Sequence, residues 1–79
     1  MTKVLFFAAT AAATGIAEET LPFEGESVSA AKEALGLRHE KLLPILPHCR
    51  VALNQAFVSD EEVIPEGAEF ALIPPVAGG

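Results

Sequence analysis

The sequence predicts a small α+β domain, with one main helix laid across a sheet of about five strands. Three observations predict it. The 79 residues leave room for one core only, since a domain usually runs to roughly 100–150 residues. Short β-branched and aromatic runs outnumber helical patterns, and one segment alone, Val28 to Leu35, shows clean helical spacing. A hydrophobic fraction of 51% with a mean hydropathy of +0.39 calls for a packed globule and excludes a disordered chain.

Val4 to Ala8 reads as a buried first strand, β-branched and aromatic. Ala9 to Thr14 shows no clear period, and Gly15 marks a turn after it. Ile16 to Phe23, where Ile16, Leu21 and Phe23 mix with Glu18, Glu19 and Thr20, reads as a half-exposed second strand. It pairs with the first as an antiparallel hairpin. Ser27 is placed to cap a helix, because its hydroxyl accepts from an orphan N–H of the first turn. Val28, Ala31 and Leu35 follow on one face with Lys32 and Glu33 outward, and Gly36 stands where a left-handed C-terminal cap belongs. A further turn or two is expected from Arg38 to Leu43, broken by Pro44 and Pro47.

Arg50–Leu53 is a third strand, Asn54-Gln55 a tight connection, and Ala56–Val58 a fourth strand. Asp60-Glu61-Glu62 and Pro65-Glu66-Gly67 are turns, and Glu69 to Ile73 alternates as a last strand. Strand, strand, helix and three more strands make the β-grasp arrangement with a mixed sheet. Residues 1–73 form that domain, and residues 74–79 an extended tail.

Five Lys and Arg against eleven Asp and Glu give a net charge of −6 and a pI near 4.7. Nucleic-acid binding needs phosphates neutralised, so this balance excludes it and favours a partner with a basic surface. A lone cysteine, Cys49, makes no internal disulfide and fits a reducing cytoplasm. The run from Lys3 through Ala13 resembles a short secretory signal. One basic side chain is a thin n-region, however, and cleavage would take two of the five Phe residues from a small core, so the run is read as structure. It is also far short of the ~20 residues of a membrane span.

Conventional catalytic patterns are missing: no phosphate loop, CxxC or HExxH. His48 and Cys49, adjacent on extended chain, point to opposite faces and form no dyad, so Cys49 reads as a small buried hydrophobe. His39 and His48 are too few and too far apart for a metal site. Asp60, Glu61 and Glu62 read as solvated turn residues rather than acid–base catalysts. No bound cofactor or metal is expected.

The end of the chain is more telling. With Gly at roughly 7% of positions, a terminal pair arises by chance in about 0.5% of chains. Pro74-Pro75 stiffens the exit from the last strand, and Gly78-Gly79 removes all side-chain bulk. A stiff stalk with a bare tip suits a terminus that enters a narrow active site on another protein, which makes the functional atom the carbonyl carbon of Gly79. A carboxylate, with an α-carboxyl pKa of about 3.3–3.7, is a poor electrophile. It must be activated, for example by adenylation, before sulfide or an amine can trap it.

Lys3-Val4-Leu5-Phe6-Phe7-Ala8, Ala52-Leu53-Asn54-Gln55 and Pro74-Pro75-Val76-Ala77-Gly78-Gly79 together resemble the small-subunit family of molybdopterin synthase. Val58-Ser59, Gly67, Glu69 and Phe70 match its last hairpin. The resemblance implies a ubiquitin-like sulfur carrier that is itself non-catalytic. An E1-like enzyme would adenylate Gly79 with ATP, and a sulfur donor would convert it to a thiocarboxylate. The tail would then insert into the large subunit, in a heterotetramer of two small and two large subunits. There the sulfur would pass to cyclic pyranopterin monophosphate, two transfers building the dithiolene that holds molybdenum.

By position, Gly79 is the thiolated residue and Gly78 its slim neighbour. Phe7, Phe57 and Ile73 fall on the family's hydrophobic contact with the large subunit, continued by Pro74, Pro75, Val76 and Ala77. Each of the first three also fits an ordinary core position. The chain departs from the family at Ala68, where an aspartate usually caps the turn, and in lacking charge over Ala9–Gly15. Two rivals share the Gly-Gly ending: the sulfur carrier of thiazole synthesis, which lacks the Pro-Pro-Val approach, and a ubiquitin-like modifier, which would leave lysine conjugates.

Overall fold

The computed structural model describes residues 1–75. Its strands are β1 (Thr2–Phe6), β2 (Glu18–Leu21), β3 (Arg50–Leu53), β4 (Ala56–Val58) and β5 (Glu69–Ile73), and its helices α1 (Ala9–Thr14) and α2 (Val28–Arg38). The sheet runs β2-β1-β5-β3-β4. The central β1–β5 pair is parallel and the other three pairs are antiparallel, which gives the mixed β-grasp sheet that the element order predicts.

Strand alternation sorts the sheet into two faces. Val4, Phe6, Phe70, Leu72, Val51 and Leu53 share one face, in register across β1, β5 and β3, and join the core with Val28, Ala31 and Leu35 of α2. Ser27 caps α2 as expected, its Oγ accepting from Ala30 N–H at 3.1 Å. Asn54 and Gln55, at φ 50° and 71°, turn β3 into β4 with the left-handed pair that matches strand twist.

Three expectations are corrected. The β1–β2 pair is antiparallel but is not a tight hairpin: Ala9–Thr14 forms α1 between the strands, and β2 is only Glu18–Leu21. A run of Ala and Thr shows no apolar stripe, so this short helix leaves no period to read; Gly15, at φ 77°, ends it. Gly36 is not a cap. It lies buried inside α2, where a Cβ would come within 2.7 Å of Leu43 Cδ2 and 2.8 Å of Leu46 Cδ1. Close approach of the chain after α2 explains this glycine, and the helix runs on to Arg38. Lys32 is not free on the surface either, since its ammonium donates to Cys49 O at 3.2 Å and lies 3.6 Å from Asp60.

Ala68 is buried at 1% exposure, so a carboxylate there would have to be desolvated. The turn is capped from its neighbour instead, Gly67 N–H donating to Glu66 Oε2 at 3.1 Å. Beyond α2 the turns expected from Arg38 to Leu43 form as a 3-10 turn, Glu40–Leu42, and a second, Leu46–His48, includes Pro47.

The C-terminus of α2 is held to β2 by charge. Arg38 donates to Glu19 Oε2 from Nε at 2.7 Å and also from Nη2, and His39 Nε2 lies 2.9 Å from Glu19 Oε1. The guanidinium first, then His39, holds the Glu19 carboxyl below its ordinary 4.5, with burial opposing. Because the folded value is the lower one, ionised Glu19 contributes stability fully present above the unfolded value and lost as pH falls through the folded one. Glu19→Gln therefore makes Tm fall less between neutral pH and pH below 4.5, the two proteins converging at the acid end. Parallel Tm curves would assign the acid sensitivity to other carboxylates.

Candidate functional site

The opposite face of the sheet carries Leu5, Ala71, Ile73, Ala52 and Phe57, which the registers of β1, β5, β3 and β4 set side by side. No described helix covers it. Phe57 is 55% exposed and Phe7, directly after β1, 45%, while Ile73 and Pro74 are half-buried and Pro75 is exposed. Two large aromatic side chains in solvent beside Ile73, on a domain of this size, are the mark of an interaction surface. Phe7 and Phe57 are thus not core. Val76, Ala77, Gly78 and Gly79 lie outside the described residues.

Sequence reasoning missed the smaller members of this face. Leu5, Ala52 and Ala71 share the alternation of Ile73 and Phe57, and the signal for them was strand parity once the registers were known. It also missed Arg50, whose guanidinium carbon lies 4.0 Å from the Phe57 ring centroid. Glu18 and Glu69 join the same face opposite Leu5 and Lys3 respectively, so acidic groups lie beside its apolar centre.

The base of the tail is fixed from α1. Thr10, wholly buried, accepts from Phe7 N–H at 2.8 Å, and its single proton lies between Phe7 O at 2.9 Å and Leu72 O at 3.1 Å. One hydroxyl thus joins the end of β1 to the end of β5, just before Ile73 and Pro74. Ala8 between them stands at φ 46° and ψ −115°, a conformation that costs a non-glycine residue about 1–3 kcal/mol and persists only where surroundings enforce it. That strain and the Thr10 bonds set the direction in which Phe7 leaves β1.

The other candidate side chains among the described residues are engaged in the fold or exposed singly. Cys49 is buried, its thiol donating to Ile45 O at 3.3 Å; burial pushes its pKa up, against a smaller pull from Lys32. The thiolate nucleophile is therefore suppressed, and His48 beside it is exposed. His39 is engaged with Glu19 and stacks edge-on to Phe6, with centroids 5.8 Å apart. Among the described residues no group of three or more His, Cys, Asp or Glu is placed to hold a metal, no ligand-sized pocket opens, and no helix is long and apolar enough to cross a membrane.

Comparison with known proteins gives this architecture its relatives. The ThiS family model matches residues 4–79. The molybdopterin synthase sulfur carrier subunit of Chlamydomonas reinhardtii is 34% identical over 80 residues, covering 98% of this chain and 96% of that protein. A solved Pyrococcus furiosus structure assigned to molybdopterin converting factor subunit 1 is 30% identical, with a TM-score of 0.81 over 95% of this chain and 97% of that one. The small archaeal modifier protein 1 of Haloferax volcanii is 26% identical with a TM-score of 0.77, over 99% and 98%. With this ubiquitin-like fold, the chain belongs to the ThiS family, among the molybdopterin synthase sulfur carrier subunits.

Proposed function

We propose that the chain carries sulfur as a thiocarboxylate on Gly79 and delivers it inside the large subunit of molybdopterin synthase to build the dithiolene of molybdopterin. The observation that carries the reading is the exposed Phe7, Phe57 and Ile73 face lying beside the strand from which Pro74-Pro75-Val76-Ala77-Gly78-Gly79 departs. Docking by that face would aim the tail into the partner.

The chemistry divides between partners. The Gly79 carboxylate attacks the α-phosphorus of ATP on an E1-like enzyme, giving the acyl adenylate and releasing pyrophosphate. A sulfide-level donor then displaces AMP and leaves the thiocarboxylate. In the large subunit that sulfur bonds to a carbon of the cyclic pyranopterin precursor and displaces an oxygen substituent from it. Water then cleaves the acyl C–S bond, which leaves the sulfur on the pterin and frees the carrier as its carboxylate. This chain supplies the acyl group, its reach and its docking surface, while the catalytic side chains belong to its partners. The steps would take place in the cytoplasm.

Intact mass of the protein from its own cell tests the reading. A fraction heavier by the exchange of one oxygen for sulfur is expected, and it should vanish as dithiolene pterin forms with the large subunit. The modifier reading is favoured by one observation, the fold shared with the Haloferax volcanii protein. It requires isopeptide-linked conjugates on lysines, and finding those without the thiocarboxylate would replace the proposal.

A further inference from the structure

Arg50 interrupts an otherwise apolar stretch of the exposed sheet face. It pairs in register with Ile73, the last residue of β5, and its guanidinium lies over Phe57. The chain has five cationic side chains, and two of them, Arg38 and Lys32, are committed elsewhere. Arg38 is bound to Glu19, Lys32 to Cys49 O and Asp60, Lys3 stands opposite Glu69, and Lys41 lies in a 3-10 turn. Among the described residues no carboxylate forms an ion pair with Arg50. Its register partner on β5, Ile73, and the ring beneath it are apolar.

That geometry constrains whatever covers the face. A surface that seats on Phe57 must also enclose the cation stacked on it. A guanidinium has five N–H donors, no acceptor and no accessible neutral form, so burying it unpaired is strongly unfavourable. Planar and weakly hydrated, it is suited to two-point pairing with a carboxylate in an interface. The overall charge of −6 steers the chain toward a basic partner; one acid set against Arg50 opposes that general field and so acts as a register mark.

We infer that Arg50 is a specificity-determining contact, and that the large-subunit surface covering Phe57 presents an Asp or Glu carboxylate to its guanidinium. The inference rests on the sheet face being the docking surface, as proposed above. It is tested by measuring the affinity of the full chain for the large subunit of the same organism, in wild type, Phe57→Asp, Arg50→Gln, Arg50→Lys and Arg50→Glu. Tm should be unchanged in all the Arg50 variants, whose side chain is exposed. Arg50→Gln should weaken binding by roughly 30-fold or more, as truncating one member of an enclosed charge pair does. Arg50→Lys should fall between, and Arg50→Glu should bind worst. A scan of large-subunit acids to Lys should contain one position that restores Arg50→Glu.

The outcomes separate cleanly. If Phe57→Asp binds normally, the face is not the docking surface and the reading beneath the inference fails. If Phe57→Asp abolishes binding while Arg50→Gln and Arg50→Glu bind as wild type, the face stands and the inference is overturned: Arg50 then merely shields Phe57 in the free protein. A loss with Arg50→Glu that no large-subunit acid-to-Lys change restores also overturns it.

Discussion

Deleting Gly79 should abolish sulfur transfer and leave fold and partner affinity nearly untouched. An extended residue spans up to ~3.3–3.6 Å, so a chain shorter by one residue presents its terminal carbonyl that far from the reacting atoms. Catalysis is sensitive to misplacement of about 1 Å, at a cost of the order of 100-fold, and here the sulfur-bearing carbon itself would be displaced. Adding one residue after Gly79 should be equally damaging, because the new terminal carbonyl would stand one extended residue too far along. Gly78→Val should act through bulk and through lost backbone freedom. None of these changes removes a core side chain, so Tm should stay close to wild type. The measurement is dithiolene pterin formed from its precursor by chemically thiolated protein and large subunit. If the chain without Gly79 donates sulfur at a normal rate, the terminus is not the carrier.

Phe70→Ala brings the largest loss of stability. Phe70 is the largest side chain with no exposed surface. It stands on β5 between Val4 of β1 and Leu53 of β3, with its ring 6.2 Å from that of Phe23. Truncating a buried Phe costs about 3–5 kcal/mol in transfer and cavity terms. A domain of 79 residues has about 4–12 kcal/mol in all, at 0.05–0.15 kcal/mol per residue. With each kcal/mol worth roughly 4–8 °C in a domain of this size, Tm should fall by roughly 12–40 °C. Phe57→Ala should move it little, the ring being 55% exposed. Circular dichroism melts of the pair decide this, and equal shifts would reverse which aromatic is core and which is surface.

The strands were legible because their signals are local. Val4, Phe6, Val51, Phe70 and Leu72 advertise strands by residue type, and Asn54-Gln55 and Gly67 mark turns by backbone chemistry. Gly36 misled because a glycine eight residues after Val28 satisfies the C-cap pattern as well as it satisfies close packing. Only the positions of Leu43 and Leu46 distinguish the two, and those are tertiary facts. Likewise Glu19 looks in sequence like an outward residue of a half-exposed strand. Its role is set by Arg38 and His39, nineteen and twenty positions away. At the candidate site, Phe7, Phe57 and Ile73 were named from family resemblance, since apolar strand residues fit core and surface alike; burial separates them. Arg50 was invisible, because a cation over a ring on the next strand follows from register alone.

The parallel pairing of β1 with β5 at the centre of the sheet has a consequence for biosynthesis. As the chain leaves the ribosome, β1 with β2, and β3 with β4, can each assemble as ribbons, but two-stranded ribbons are marginal in water. Within the sheet the two ribbons share no ladder until β5 arrives and pairs with β1 on one edge and β3 on the other. Closing that longest loop is the slow, non-local step of the topology. The sheet is therefore completed late, and a nascent chain cut short before β5 lacks the central strand that both ribbons need. Synthesis of β5 thereby becomes the checkpoint for a completed sheet.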